Sequence, residues 1–329
     1  MNLPFVKKPE DLIQPVGGLI VEAPLEQDHV LGATGDQIGG PDFEVLVPDG
    51  HWAPFSPAME LQRNRFGDTF MCVSYSNNNI HEFIIKQKFQ EDVNMSDLFL
   101  GKGSGTVRGQ GNSKRAVAEW KRLNGYVLEK DYPYTPDTTL DQAYAALSKA
   151  LLEKGKASLA KYEFFYKWLG AASQTPQSLI EGLKYSPLQV DVGGSYSMNS
   201  KGYVVWQGGS YNHEVVLFDY EPNKCWWIFD SETEQYLKFT WTYPFGSPMV
   251  HNVKKKMKII LYKKKGNSAI AVKHPSQPCL IAFSGGSVQG DDLFKAIYGV
   301  TSFDQLEMTE VNEWPYPIRH LINTNPVRL

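Results

Sequence analysis

The spacing of apolar residues changes partway along the chain. From Cys72 onward Val73, Ile80, Phe83, Ile84 and Phe89 recur close to every third or fourth position, which predicts a helix with one buried stripe. Asn77, Asn78 and Asn79 interrupt it with weak helix formers. A glycine-rich loop, GKGSGTVRGQGNS, follows over 101–113. Its last residue, Ser113, is placed to cap a helix carrying Ala116, Val117, Trp120 and Leu123 that stops at Gly125. A second helix is expected over 139–153, ended by Gly155. A third starts at the Thr175-Pro176 cap and runs through Leu183, short of Pro187. Beyond it the period falls to two. Residues 188–192, 203–206, 213–220, 225–230, 236–240 and 256–262 read as strands joined by short polar turns. Helices first and an antiparallel sheet afterwards make an α+β arrangement.

The flanks differ in texture from this central stretch. Residues 1–58 are broken by Pro and Gly, as in GATGDQIGGP and PDGHWAPFSP, and are expected to form an extended arm over a main domain at 59–265. Residues 266–329 contain the strand-like AIAV and CLIAF and a helical DDLFKAIYG, and read as a small appended α/β module or extension. Lysine runs at 254–256 and 263–265 flank the apolar residues 259–262 and read as solvated strand ends.

Composition narrows the classes of function. A formal net charge of -3 leaves no basic excess to neutralise phosphates, so no nucleic-acid partner is expected. The opening MNLPFVKKPEDLIQPVGG lacks the apolar run of a signal peptide, and no later stretch is long and apolar enough for a membrane span. A cytoplasmic or virion-associated protein without a membrane partner is the expectation. The three cysteines, Cys72, Cys225 and Cys279, are too few and too irregular for a disulfide framework or a zinc motif, so neither metal nor cofactor is expected. The 101–113 loop lacks the Gly-Lys-Ser/Thr ending of a phosphate cradle, and no Gly-x-Ser-x-Gly elbow occurs.

What remains is a thiol chemistry. Cys72 opens a helix, His213 follows about 140 residues later and Asp230 comes shortly after, the chain order of a Cys-His-Asn/Asp hydrolase. A two-residue turn at Pro222-Asn223 would pair Glu221 with Lys224 and set Val215 opposite Asp230 and His213 opposite Glu232. His213 and Asp230 then become diagonal neighbours on one face. Glu232 is a rival partner by the same register, although it reads as a solvated charge in the SETEQ turn. The helix macrodipole and a neighbouring imidazolium would both favour a Cys72 thiolate near neutral pH. Cys225 and Cys279, each beside large apolar residues, read as core. His29, His51, His81, His251, His274 and His320 have no spaced partner and read as surface or satisfied histidines.

Several segments together resemble the papain-like cysteine peptidases: the run from Cys72, GQGNSKRAVAEWKRLNGYVLEKDYPY, the strand ending NHEVVLFDYE, and WWIFDSE. The resemblance covers residues 60–263, with YPY at 132–134 and Asn212-His213 its most specific pieces. It implies a helical half and an antiparallel sheet or barrel half with a cleft between them, and a peptide or protein substrate. By position it makes Cys72 the nucleophile, His213 the base and Asp230 the orienting residue. It further makes Gln62 the oxyanion donor, together with the Cys72 backbone N–H, and Gly109 and Gly111 the rail for substrate backbone. The chain departs from the pattern in Phe70-Met71-Cys72-Val73, in a Gln62 ten residues upstream, in Glu214 after the histidine and in having no tryptophan after Asp230-Ser231. The family's disulfides are absent, which suits a bacterial, viral or phage member. Transglutaminase and amidase chemistry use the same three residue types. A different outcome is a weakly active or inactive fold kept as a structural or attachment component of a phage particle, with virion or self-assembly partners.

Overall fold

Most of the helices begin where a short polar side chain takes up a free backbone N–H. Ser96, Ser113, Thr139, Ser148 and Thr175 do this for α2 (Asp97–Gly103), α3 (Lys114–Asn124), α4 (Leu140–Tyr144), α5 (Lys149–Ser158) and α6 (Pro176–Leu183). The exception is α1 (Cys72–Phe89), whose preceding residue Met71 offers no side-chain cap. In this computed structural model the described residues are 17–23, 43–169, 174–193, 196–233, 235–256 and the strands within 259–311.

The α1 helix is not half-buried as its stripe implies. Every residue from Cys72 to Ile85 is buried, because α1 packs against both its helical neighbours α2 and α3 and the sheet. Of the three asparagines, Asn78 is accommodated by side-chain partners instead of water. Asn78 donates to Asp97 Oδ1 at 2.7 Å and accepts from Lys121 Nζ at 2.6 Å. Burial pulls Lys121 down to about 7.

The helix expected over 139–153 is two helices. Ala145 turns extended after α4, and Ser148 caps a fresh start. Gly155 lies inside α5 and does not end it. A Cβ there would strike the Phe99 ring and lie 2.8 Å from Asn124 O, so this glycine is a packing requirement. Gly101 and Gly103 likewise belong to α2, which shortens the glycine-rich loop to 104–113.

The strands are β1 (Arg63–Asn64), β2 (Gly67–Asp68), β3 (Tyr162–Trp168), β4 (Leu188–Gly193), β5 (Ser197–Met198), β6 (Val204–Val205), β7 (Tyr211–Glu221), β8 (Cys225–Asp230), β9 (Gln235–Thr240) and β10 (Gly246–Lys255). Strands β1 and β2 form a hairpin, and the others make one sheet in the order β3-β10-β4-β7-β8-β9-β6-β5. β3 and β10 have no counterpart in the period-two reading. β3 is an aromatic run in which Tyr162, Phe164, Tyr166 and Trp168 share one face and Glu163 and Lys167 lie on the other, and β10 carries a proline and an irregular register against β4. The core lies on the sheet and includes Phe83, Leu188, Phe218, Trp226, Phe229 and Phe239. Phe43, Val47 and Trp52 also belong to it.

The chain divides into two compact units, Met1–Lys254 and Lys255–Leu329. The second unit holds β11 (Ile259–Lys263), β12 (Ile270–Lys273), β13 (Leu280–Phe283), β14 (Gly286–Gln289) and β15 (Glu307–Val311) as an antiparallel sheet ordered β14-β13-β12-β11-β15. β11 therefore belongs to this second sheet and not to the larger one. The DDLFKAIYG segment and Cys279 lie outside the described residues.

The β7–β8 hairpin reaches the expected register by a different route. Its loop has three residues, with Asn223 at φ 58° and Glu221 opposite Cys225, one position off the two-residue turn. A bulge at Phe218 then absorbs one residue, so that Leu217 faces Ile228 and Val216 faces Phe229. The two departures cancel. At the far end Val215 and Asp230 fall opposite one another, as the sequence predicts.

Gly155→Ala is expected to destabilise the first unit by about 1–3 kcal/mol, the usual range for overpacking. That outweighs the ~1 kcal/mol gained in helix propensity. Urea unfolding of the two proteins checks it, and a more stable variant would mean that Phe99 and Asn124 yield freely.

Candidate active site

Three elements bring the thiol, the imidazole and the carboxylate together. Cys72 is the first residue of α1, His213 is the third residue of β7 and Asp230 is the last of β8. His213 Nε2 lies 2.9 Å from Asp230 Oδ1, and neither side chain is exposed. The same Oδ1 accepts from the backbone N–H of Glu232 at 2.9 Å, which fixes the carboxylate against the turn that follows β8. The Cys72 thiol interacts with the same imidazole and with Glu214, and the ring's other nitrogen, Nδ1, has no hydrogen-bond partner. Tyr196 stands edge-on to His213 with ring centroids 6.5 Å apart and against Phe239 at 5.5 Å. This tyrosine shields the pair from outside the 225–235 segment.

Burial and charge compete at both partners. Burial opposes charging of His213, but the Asp230 carboxylate, by charge and hydrogen bond, and Cys72 more than compensate. The imidazole is held well above its ordinary range. For Cys72 burial wins: it pushes the thiol up, and the interaction with His213 offsets it only in part. The thiolate expected from the helix terminus and the imidazolium is thus disfavoured in this closed arrangement.

The cause of the closure is residues 17–23. Gly18 and Leu19 donate to Asn212 O at 2.9 and 3.1 Å, next to His213. On the other side Asn112 donates to Gly18 O at 3.0 Å, and Ile20 donates to Asn112 O at 2.8 Å. Leu19 is buried in a cluster with Cys72, Val73, Leu100 and Val117. Glu22 accepts from the Arg115 backbone at 2.8 Å and its guanidinium at 2.7 Å, fastening the far end. Two glycines are obligatory here. A Cβ on Gly17 would lie 2.7 Å from Asn212 O, and one on Gly18 2.7 Å from Phe70 O. Nothing in local sequence pattern marks this contact, although the Gly17-Gly18 pair is its one signal.

The remaining candidates fall at and around this cleft. Gly111, at φ 85°, abuts Gly18, and a Cβ there would collide with Gly18 O. Gly109, at φ 77°, has nothing near its Cβ position. Gln62 is fully buried, and Ser231 Oγ donates to its Oε1 at 2.8 Å. Its Nε2 donates to Asp68 Oδ1 at 3.0 Å and to Glu232 Oε1 at 2.5 Å. Glu232 is not the solvated charge its turn position implies. It is fully buried against Arg63, and burial together with Asp68 pushes its carboxyl up to about 8. Cys225 is buried, as expected of a core residue. His51 is partly exposed and bonded to Asp219 at 2.5 Å, while His81 and His251 are buried and bonded to Lys121 and Gln189. His29, His274 and His320 lie outside the described residues. Among the described residues no cluster of His, Cys, Asp and Glu is arranged to hold a metal ion.

No protein-family model and no curated protein matches the chain. Among solved structures it is similar to xylellain, a cysteine protease from Xylella fastidiosa, with 16% identity and a TM-score of 0.53 over 76% of this chain and 99% of that one. It is also similar to the proform of the ragweed pollen cysteine protease Amb a 11 (16% identity, TM-score 0.42, 60% of this chain). The clostridial cysteine protease Cwp84 matches too (14% identity, TM-score 0.45, 66% of this chain). These two matches span 63% and 61% of the ragweed and clostridial chains. The chain has the papain-like fold.

Within that fold the helical part carries Cys72, the sheet carries His213 and Asp230, and residues 17–23 run between Asn112 and Asn212. Gly18→Val, which places a branched side chain against Phe70 O, is expected to dislodge the segment. Alkylation of Cys72 by iodoacetamide, read by peptide mass spectrometry, should then quicken at least about tenfold, equivalent to ~1.4 kcal/mol of lost closure, with Cys225 unchanged. An unchanged Cys72 rate would mean that the segment does not limit access.

Proposed function

We propose that this chain is a cysteine peptidase that hydrolyses peptide bonds through Cys72, His213 and Asp230. The observation that carries the reading is a buried imidazole, His213, that meets Asp230 Oδ1 at 2.9 Å and also bears on the Cys72 thiol at an uncapped helix start. When residues 17–23 leave the cleft, water and substrate relieve part of the burial that keeps the thiol neutral. The proton then passes to His213, whose imidazolium Asp230 stabilises.

In the reaction the Cys72 thiolate attacks the substrate carbonyl carbon, and the C=O oxygen takes up the negative charge. In this reading the backbone N–H of Cys72, at the positive end of α1, receives that oxyanion. Gln62 is the second donor in this reading. Both its amide hydrogens are now held by Asp68 and Glu232, so one acceptor must be exchanged for the oxyanion. His213 gives its proton to the departing amine, leaving a Cys72 thioester. It then takes a proton from the water that hydrolyses it. Asn112, next to Gly111, supplies the rail for substrate backbone, the edge that Gly18 and Ile20 now occupy.

Cys72→Ser is expected to lower peptide hydrolysis by at least about a hundredfold, the scale of a nucleophile loss. Cleavage of a denatured protein by the Gly18→Val protein, followed by mass spectrometry, supplies the assay. Undiminished cleavage by a Cys72→Ser, Gly18→Val protein would sink the assignment.

The pH profile gives a second test. Activity needs the imidazolium, so it falls as pH rises through the elevated His213 pKa. Asp230→Asn can keep the hydrogen bond but removes the charge that raises that pKa. The alkaline limb should therefore move to lower pH, and a limb that stays in place would assign it to another group.

A further inference from the structure

The residue that follows His213 is a glutamate buried as completely as the histidine itself. Glu214 points to the opposite side of β7 and lies directly across from Asp191 of β4 in the antiparallel register. Glu214 is 0% and Asp191 1% exposed. Two carboxyl groups forced together away from water cannot both be charged without a large penalty.

Positive charge is limited here. From α3 the Lys114 ammonium, itself buried, pairs with Asp191 Oδ1, lies 3.8 Å from Glu214 Oε1 and also donates to Ser247 O on β10. Both Glu214 oxygens and Asp191 Oδ2 have no hydrogen-bond donor. One proton held between the two acids would satisfy an oxygen on each. The charges around Glu214 are then Asp191 from β4, Lys114 from α3, His213 from its own strand and Cys72 from α1, with the neutral His251 of β10 beyond Lys114.

We infer that Glu214 is a positioning residue that carries a proton shared with Asp191, and that Lys114 cancels the remaining negative charge, so that no net charge opposes a thiolate at Cys72. The inference rests on the thiol reading above and names residues it does not use. Burial as the main cause, with Asp191 adding to it, holds Glu214 well above the ordinary carboxyl range, against the pull of Lys114 and His213. A Glu214 carboxylate would raise the Cys72 pKa by its charge, whereas its backbone N–H lowers it. The neutral acid keeps the favourable contact and removes the unfavourable one.

The test reads charge separately from structure. In the full chain, the pH dependence of Cys72 alkylation by iodoacetamide is compared for the native protein, Lys114→Met and the double variant Lys114→Met, Asp191→Asn. Lys114→Met leaves one uncompensated negative charge and should slow labelling at neutral pH roughly tenfold, with the profile moved up by about one pH unit. The double variant removes more native contacts but is again neutral, so its profile should return to the native position. A double variant as slow as the single one, or a single variant as fast as native, overturns the inference. The infrared difference spectrum between the native protein and Glu214→Gln should also isolate a buried protonated carboxyl band distinct from those of other buried acids such as Glu232, and a difference spectrum without that band overturns it independently. If the thiol of the cleft-opened Gly18→Val protein titrates in the ordinary range and ignores His213→Ala, the peptidase reading fails instead.

Discussion

Everything at the site depends on how β7 pairs with its two neighbours. On one side its pairing with β8 brings His213 within 2.9 Å of Asp230. On the other its pairing with β4 sets Glu214 against Asp191. A one-residue slip would exchange the faces and put the glutamate where the imidazole belongs. The Phe218 bulge is therefore more than an irregularity. It corrects the offset introduced by the three-residue loop before the strand reaches the cleft.

The second constraint is charge in a dry setting. Cys72, His213, Asp230, Glu214, Asp191 and Lys114 are all essentially without solvent contact. Ionised groups at such depth are tolerated only as pairs with good hydrogen bonds. His213 with Asp230 and Lys114 with Asp191 form such pairs, and they leave the thiol and Glu214 neutral while residues 17–23 cover the cleft. Removing that cover changes the environment of the thiol far more than that of Glu214, which is enclosed by β4 and α3. Closure and activation are thus linked through desolvation.

Much of this was legible in the sequence. Ser113, Gly125 and Thr175-Pro176 marked helix ends by local chemistry that the fold retains. The α+β order and the meeting of His213 with Asp230 followed from period-two patterning. The hairpin estimate succeeded because two unseen irregularities cancel. What was hidden depends on distant partners. Glu232 is polar in sequence, yet Arg63 and Gln62 enclose it. Asn78 of α1 looks like a helix breaker until Asp97 and Lys121 arrive from other helices. Residues 17–23 find Asn112 and Asn212 only in three dimensions.

The most direct measurement is the ultraviolet thiolate absorbance of the Gly18→Val protein across pH, taken as a difference from the same protein carrying Cys72→Ser. With the cleft open, the thiolate signal should persist well below the ordinary cysteine pKa of ~8.5 and should disappear there when His213 is replaced by alanine. A signal that emerges only in the ordinary thiol range, whether or not His213 is present, would contradict the ion pair on which the account rests.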